Sequence, residues 1–112
     1  MAYYCVTAML SDLDDSVGRL VDALQRKNML QDSIIVFSTD NGGPAQGFNL
    51  NHASNWPLRG VKNTLFEGGV RGAGLLFYPK LKRRSRIAEQ VMHIVDWLPT
   101  LLTAMGGKDA LA

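Results

Sequence analysis

The sequence predicts an α/β fold with buried, mostly parallel strands, and three observations carry that reading. The run Ile34-Ile35-Val36-Phe37 is short, apolar and rich in β-branched residues, the pattern of a strand covered on both faces. Gly74-Leu75-Leu76-Phe77-Tyr78 repeats the pattern and stops at Pro79. Ahead of the first run, Val6, Met9, Leu10, Leu13, Val17, Leu20, Val21 and Leu24 recur at helical spacing, so helix and strand alternate along the chain.

Taken in order, the first element is an amphipathic helix over about residues 3 to 27, with Asp12, Asp14, Asp15, Arg19 and Asp22 mainly on its polar face and Asn28 as its stop. Three close aspartates there read as a solvated helix face. A strand over 33 to 39 follows. Residues 40 to 64 hold no sustained period and are rich in Gly, Asn and Pro, a length of irregular chain that is commonly functional. Trp56-Pro57-Leu58 is expected to anchor this loop in apolar surroundings. The second strand spans 74 to 78. Val91 to Ile94 reads as a short strand or helix entry, and Asp96 to Met105 as a helix with Pro99 in its first turn and Gly106-Gly107 as its stop. Two strands and two main helices leave sheet faces uncovered, so the 112 residues are expected to be one part of a larger domain.

Composition narrows the function classes. With 46% hydrophobic and 20% charged residues the chain is globular, and a net charge of +2 gives no footprint for nucleic acid. The one concentration of charge, Lys80, Lys82, Arg83, Arg84 and Arg86, reads as a solvated loop, with a patch for an anionic polymer as the sharper alternative. A single cysteine, Cys5, excludes a disulfide within the chain. No apolar run approaches a membrane span, and the first residues lack the form of a signal peptide.

Three clusters could carry chemistry. Asp40 and Asn41 stand at a strand's carboxyl end, where open α/β sheets place ligands, and offer oxygens that suit hard cations; the same residues are also common in plain turns. The segment from Leu58 to Arg71 carries Arg59, Lys62 and Arg71 with Glu67 among three glycines. Lysine acts on a sulfate or phosphate as a point charge and arginine as a fork, while Glu67 and Arg71, four apart, also fit a structural ion pair. Gly69, Gly72 and Gly74 match neither phosphate-loop spacing. Of the histidines, His93 reads as a core residue paired with Asp96 or backbone, and His52 as an exposed loop residue or a pocket-rim group.

Four motifs in order, Ser38-Thr39-Asp40-Asn41-Gly42-Gly43, Asn55-Trp56-Pro57-Leu58-Arg59-Gly60-Val61-Lys62, Phe66-Glu67-Gly68-Gly69-Val70-Arg71 and His93-Ile94-Val95-Asp96-Trp97-Leu98-Pro99-Thr100-Leu101, resemble the sulfatase family. The likeness runs from Tyr3 to about Gly107 and is strongest to the arylsulfatase B type, which acts on N-acetylgalactosamine 4-sulfate. It implies an alkaline-phosphatase-like α/β fold, a sandwich of helices around a mostly parallel sheet, of which residues 1–112 would be a central-to-late segment of the catalytic domain, incomplete at both ends. It implies sulfate ester hydrolysis with calcium held partly by Asp40 and Asn41, sulfate contacted by Lys62, and supporting roles for Glu67 and Arg71. A sulfated small molecule or glycosaminoglycan would be the substrate, and a lysosomal or secreted protein the setting.

The departures from the family pattern limit this reading. The family's nucleophile is a formylglycine made from the cysteine of C-x-P-x-R, whereas Cys5 is followed by Val6-Thr7-Ala8-Met9, so no catalytic residue is assigned here. Asp14-Asp15 sit in a helical context unlike the paired aspartates that complete the calcium site. Two side chains are few against the six to eight oxygens calcium takes, so weak calcium binding and no turnover by these residues alone are expected. Two other readings stay open: a non-catalytic chain that binds sulfated glycans through the Lys62 segment and the basic run, and a metal phosphodiesterase of the same superfamily. Asn41 disfavours the latter, because those enzymes place a zinc-suited histidine at that position.

Overall fold

The computed structural model describes residues 2–47 and 51–107, with side chains from residue 7 onward in the first helix. Asn49 and Leu50 of the long loop and the Cys5 side chain lie outside the described residues. The chain divides into two units, Met1–Leu81 and Lys82–Ala112.

In the first unit, α1 spans Ala2–Arg26. Its stop is the one read from sequence: Asn28 takes φ 57°, Met29 N donates to Leu24 O at 2.9 Å and Asn28 N to Gln25 O at 3.0 Å, a Schellman close with asparagine in the left-handed seat. A short 3₁₀ turn at Leu30–Asp32 leads into β1, Ile35–Ser38. The four-residue helix α2, Glu67–Val70, precedes β2, Gly74–Phe77.

The two strands pair antiparallel, Ile35 opposite Phe77 and Ser38 opposite Gly74, in place of the parallel arrangement expected. A four-residue apolar run carries no information about strand direction; direction is set by the connection. Among the described residues the segment joining these strands holds only the four-residue α2, too short for the crossover a parallel pair needs. Nor are the strands buried. Phe37 is 36% exposed and Leu75 58%, because no layer packs on either face among the described residues. Along the described stripe on α1, Met9 and Leu10 are more than half exposed and Leu13, Val17 and Leu20 are exposed, while Val21 and Leu24 are half-buried.

Among the described residues no aliphatic, aromatic or methionine side chain is buried. The buried positions there are Gly42, Gly68, Gly69 and Pro79. Three of these four meet at one place, where the end of β1 crosses the start of α2, so the tightest packing in the unit is backbone against backbone.

An ion pair closes one end of the strand pair, beyond Ile35 and Phe77: Lys80 Nζ lies 2.7 Å from Asp32 Oδ1. The hydrogen bond and charge of Lys80 lower the Asp32 carboxyl below its ordinary range, and those of Asp32 raise the Lys80 ammonium above its own. The stabilisation from Asp32 is therefore present above the ordinary carboxylate range and lost as pH falls through the lowered value. That from Lys80 is lost as pH rises through the raised value. Both groups are exposed, so the pair is weak and screened. In a urea series at several pH values, Asp32→Asn is expected to remove a small, salt-sensitive increment at neutral pH and none in strong acid. An equal effect at both ends of the pH range would contradict this account.

In the second unit a 3₁₀ turn, Ile94–Asp96, runs into α3, Trp97–Ala104. His93 is exposed, contrary to the core placement expected. Its Nδ1 accepts from Val95 N at 3.4 Å while its own N–H donates to Asp96 Oδ2 at 2.7 Å, so the residue caps a turn through backbone groups. The apolar neighbours that suggested a core are exposed too, Ile94 at 62% and Val95 at 66%. Gly106, φ 91°, closes α3 as predicted: Gly107 N donates to Leu102 O at 2.9 Å and Gly106 N to Thr103 O at 3.1 Å. Lys82, Arg83, Arg84 and Arg86 are exposed, as a solvated loop requires.

Candidate functional site

The site begins where β1 ends. Thr39 extends the ladder by one step, its N–H donating to Ala73 O at 3.0 Å and its Oγ1 accepting from Ala73 N at 2.8 Å. Asp40 emerges beyond that clamp and is exposed; Asn41 is half-buried. Asn41 Nδ2 donates to Gly42 O at 2.7 Å, so Oδ1 is the oxygen this side chain can offer a cation.

Gly42 then passes directly against α2, with its N–H donating to Gly69 O at 3.0 Å. A Cβ on Gly42 would overlap Gly68 O, and one on Gly68 would overlap Gly60 O. Neither Gly42 nor Gly43 has a positive φ, so these glycines serve close approach of backbone to backbone.

The Lys62 side of the site is a tight turn from Val61 to Thr64. Thr64 N donates to Val61 O at 3.0 Å, Thr64 Oγ1 donates to the same carbonyl at 2.6 Å, and Val61 N donates to that hydroxyl oxygen at 3.1 Å. Asn63 occupies the third position at φ 70°, the conformation in which type II turns favour Gly or Asn. Lys62 thus stands at the apex of a turn pinned from both ends, with its side chain exposed. Lys62 N donates to Gly43 O at 2.8 Å, which ties this turn to the strand end.

The two pieces meet across a cleft of about 400 Å³ lined by Asn41, Pro44, Ala45, Asn51, Val61, Lys62 and Asn63. That volume suits a small ligand. Asn41 and Lys62, named from sequence for different roles, share this cleft. Asp40 is next to Asn41 but is not part of the lining. Among the described residues no three His, Cys, Asp or Glu side chains converge on a metal position. The pair Asp40 and Asn41 fits calcium in the kind of donor and falls short in number.

The remaining candidates have structural partners. Arg59 lies over the Phe66 ring, 3.9 Å from its centroid, and Arg71 pairs with Glu67 at 2.6 Å, the ion pair that the spacing allowed. Trp56 is 86% exposed, so it does not anchor the loop as expected. The anchor is Asn55, one residue earlier. Its Oδ1 accepts from Gly43 N at 2.7 Å, and its Nδ2 donates to Gly43 O at 2.8 Å and to Gly60 O at 3.3 Å. Asn51, which lines the cleft, holds the other bend, its Nδ2 donating to Ala45 O at 2.9 Å and its Oδ1 accepting from Ala53 N at 2.7 Å. Both asparagines were missed by a sequence reading that weighed His52 in their place. The available signal was the density of carboxamides in a loop with no other means of satisfying its backbone.

Comparison with known proteins identifies the chain at this point, since residues 2–107 match the family described as Sulfatase. The chain belongs to the sulfatase family. It is 43% identical over 102 residues to arylsulfatase J of Mus musculus, covering 90% of this chain and 16% of that protein. It is 35% identical over 101 residues to human arylsulfatase A, covering 87% and 19%, and 30% identical over 95 residues to human N-acetylgalactosamine-6-sulfatase, covering 85% and 18%. Among solved structures it is similar to Ps i-CgsB in complex with k-i-k-neocarrahexaose, with a TM-score of 0.57 and 39% identity over 64% of this chain and 15% of that one. The sulfatase segment therefore spans less than a fifth of each of these relatives. Family and structural neighbour together imply the alkaline-phosphatase-like fold, of which the described part is helices and a two-stranded antiparallel sheet.

Proposed function

We propose that this segment forms one wall of a sulfate ester hydrolase site, with the cation side at Asp40 and Asn41 and the sulfate side at Lys62. The observation that carries the reading is the common cleft of Asn41 and Lys62, on turns joined by the bond from Lys62 N to Gly43 O. Cleaving a sulfate ester brings a nucleophile up to a negatively charged sulfuryl group and develops charge on the leaving oxygen, and fixed cations beside these oxygens lower the barrier. Lys62 meets that need as a point charge on a turn whose backbone is already ordered. Asp40 and the Oδ1 of Asn41 would contribute two oxygens to a calcium ion, which when bound would supply further positive charge to the ester. The substrate class we favour is a sulfated sugar, in keeping with relatives named for an N-acetylgalactosamine sulfate and with a neighbour that holds an oligosaccharide.

The sequence contains no C-x-P-x-R segment, so the nucleophile is not among these residues. The intact 112-residue chain is accordingly expected to bind inorganic sulfate, moving the Lys62 and Asn41 amide resonances, to bind calcium more weakly than micromolar, and to leave an aryl sulfate uncleaved. Turnover above the buffer rate, or sulfate-induced shifts confined to residues 80–86, would overturn this assignment.

A further inference from the structure

Gly43 is held by one side chain at both of its backbone polar groups. The Asn55 carboxamide accepts from Gly43 N at 2.7 Å and donates to Gly43 O at 2.8 Å, so it occupies the position of a neighbouring strand's peptide group. The same carbonyl of Gly43 takes the N–H of Lys62 at 2.8 Å, and the second proton of Asn55 Nδ2 reaches Gly60 O at 3.3 Å, two residues before that lysine. A Cβ on Gly43 would meet Ala53 Cβ at 2.9 Å and Asn55 Oδ1 at 3.1 Å, so glycine leaves room for both Ala53 and the carboxamide. Asn55 is itself set by a turn in which Leu58 N donates to its carbonyl at 2.7 Å.

We infer that Asn55 is the positioning residue that fixes Lys62 relative to the Asp40–Asn41 strand end. It is not among the residues that line the cleft; it acts by clamping Gly43 and Gly60, the two points from which the strand end and the Lys62 turn depart. Glutamine has the same carboxamide but carries it one methylene farther from the backbone. Aspartate keeps the acceptor but places a carboxylate against two carbonyl oxygens, and alanine removes all three bonds. The role of Lys62 in holding sulfate rests on the function proposed above; the clamp does not.

The test separates the two. Amide hydrogen exchange is measured on the intact chain and on Asn55→Ala and Asn55→Asp, with the Thr39 N–H, bonded to Ala73 O, as an internal control. In both variants the Gly43 and Lys62 amides are expected to exchange on the order of fivefold faster or more, with the control unchanged. Inorganic sulfate titrated into the same proteins is expected to bind several-fold more weakly to the variants, and the Asn55 effect is expected to vanish in a Lys62→Ala background. Unchanged protection of Gly43 and Lys62 in both variants overturns the inference. So does a uniform rise that includes the control in both, since Asn55 would then hold the unit as a whole. If the two amides are freed but Lys62→Ala leaves sulfate affinity intact, the clamp stands and the sulfate-binding role of Lys62 falls.

Discussion

Replacing Lys62 with alanine is expected to weaken binding of inorganic sulfate by about tenfold, the worth of one charge-assisted contact. The lysine is at the apex of the Val61–Thr64 turn, whose three internal bonds involve Val61 and Thr64 alone. Truncation beyond Cβ leaves them intact, so the loss should appear in affinity with the thermal transition unmoved. Lys62→Arg is a sharper probe. A guanidinium keeps the charge but prefers a planar, two-point contact, so it should recover part of the affinity and change its salt dependence. Equal affinity in the wild type and Lys62→Ala, measured by calorimetry at low salt, would remove Lys62 from the site.

Gly42→Ala is expected to be the most damaging small substitution in the first unit, at about 3 kcal/mol. The added methyl overlaps Gly68 O, and backbone on both sides leaves nothing flexible to yield. Relief requires the strand end to part from α2, which also breaks the bond from Gly42 N to Gly69 O. Such a cost is a large part of a small domain's stability. Gly18→Ala is the contrast. Gly18 lies within α1 with open space where its Cβ would be, so the same change should stabilise the helix by about 0.5–1 kcal/mol. Urea midpoints of opposite shift for the two variants are the expected result. A tolerated Gly42→Ala would mean that the crossing is looser than the backbone contacts require.

Legibility in the sequence followed the range of the interaction. Asn28 and Gly106 were readable as helix stops because a left-handed residue after a helix is a local matter, satisfied by carbonyls a few residues back. The direction of β2 was not, since Leu75 and Leu76 read the same whichever way the strand runs. Exposure misled at Trp56 and His93, because an apolar neighbourhood in sequence is a core only when another layer covers it. At the site, the motifs indicated Asp40, Asn41 and Lys62 by type. What joins them was hidden, because Asn55 acts on Gly43 across twelve positions through an amide that local patterning would assign to any turn.

The glycine crossing has a bearing on how such a site can diversify. A joint made of peptide groups has no rotamers, so its dimensions are fixed by bond lengths and hydrogen-bond geometry and do not vary with the side chains around it. On the function proposed above, rim residues outside the Lys62 turn, such as Pro44 and Ala45, could therefore be exchanged to admit a bulkier or differently linked sugar without altering this backbone joint, whereas Asn63, with its positive φ, belongs to the turn itself. On that same proposal, recognition of the leaving group and of the sulfate charge would be separately adjustable, one by substitution at the mouth, the other held constant by the chain itself.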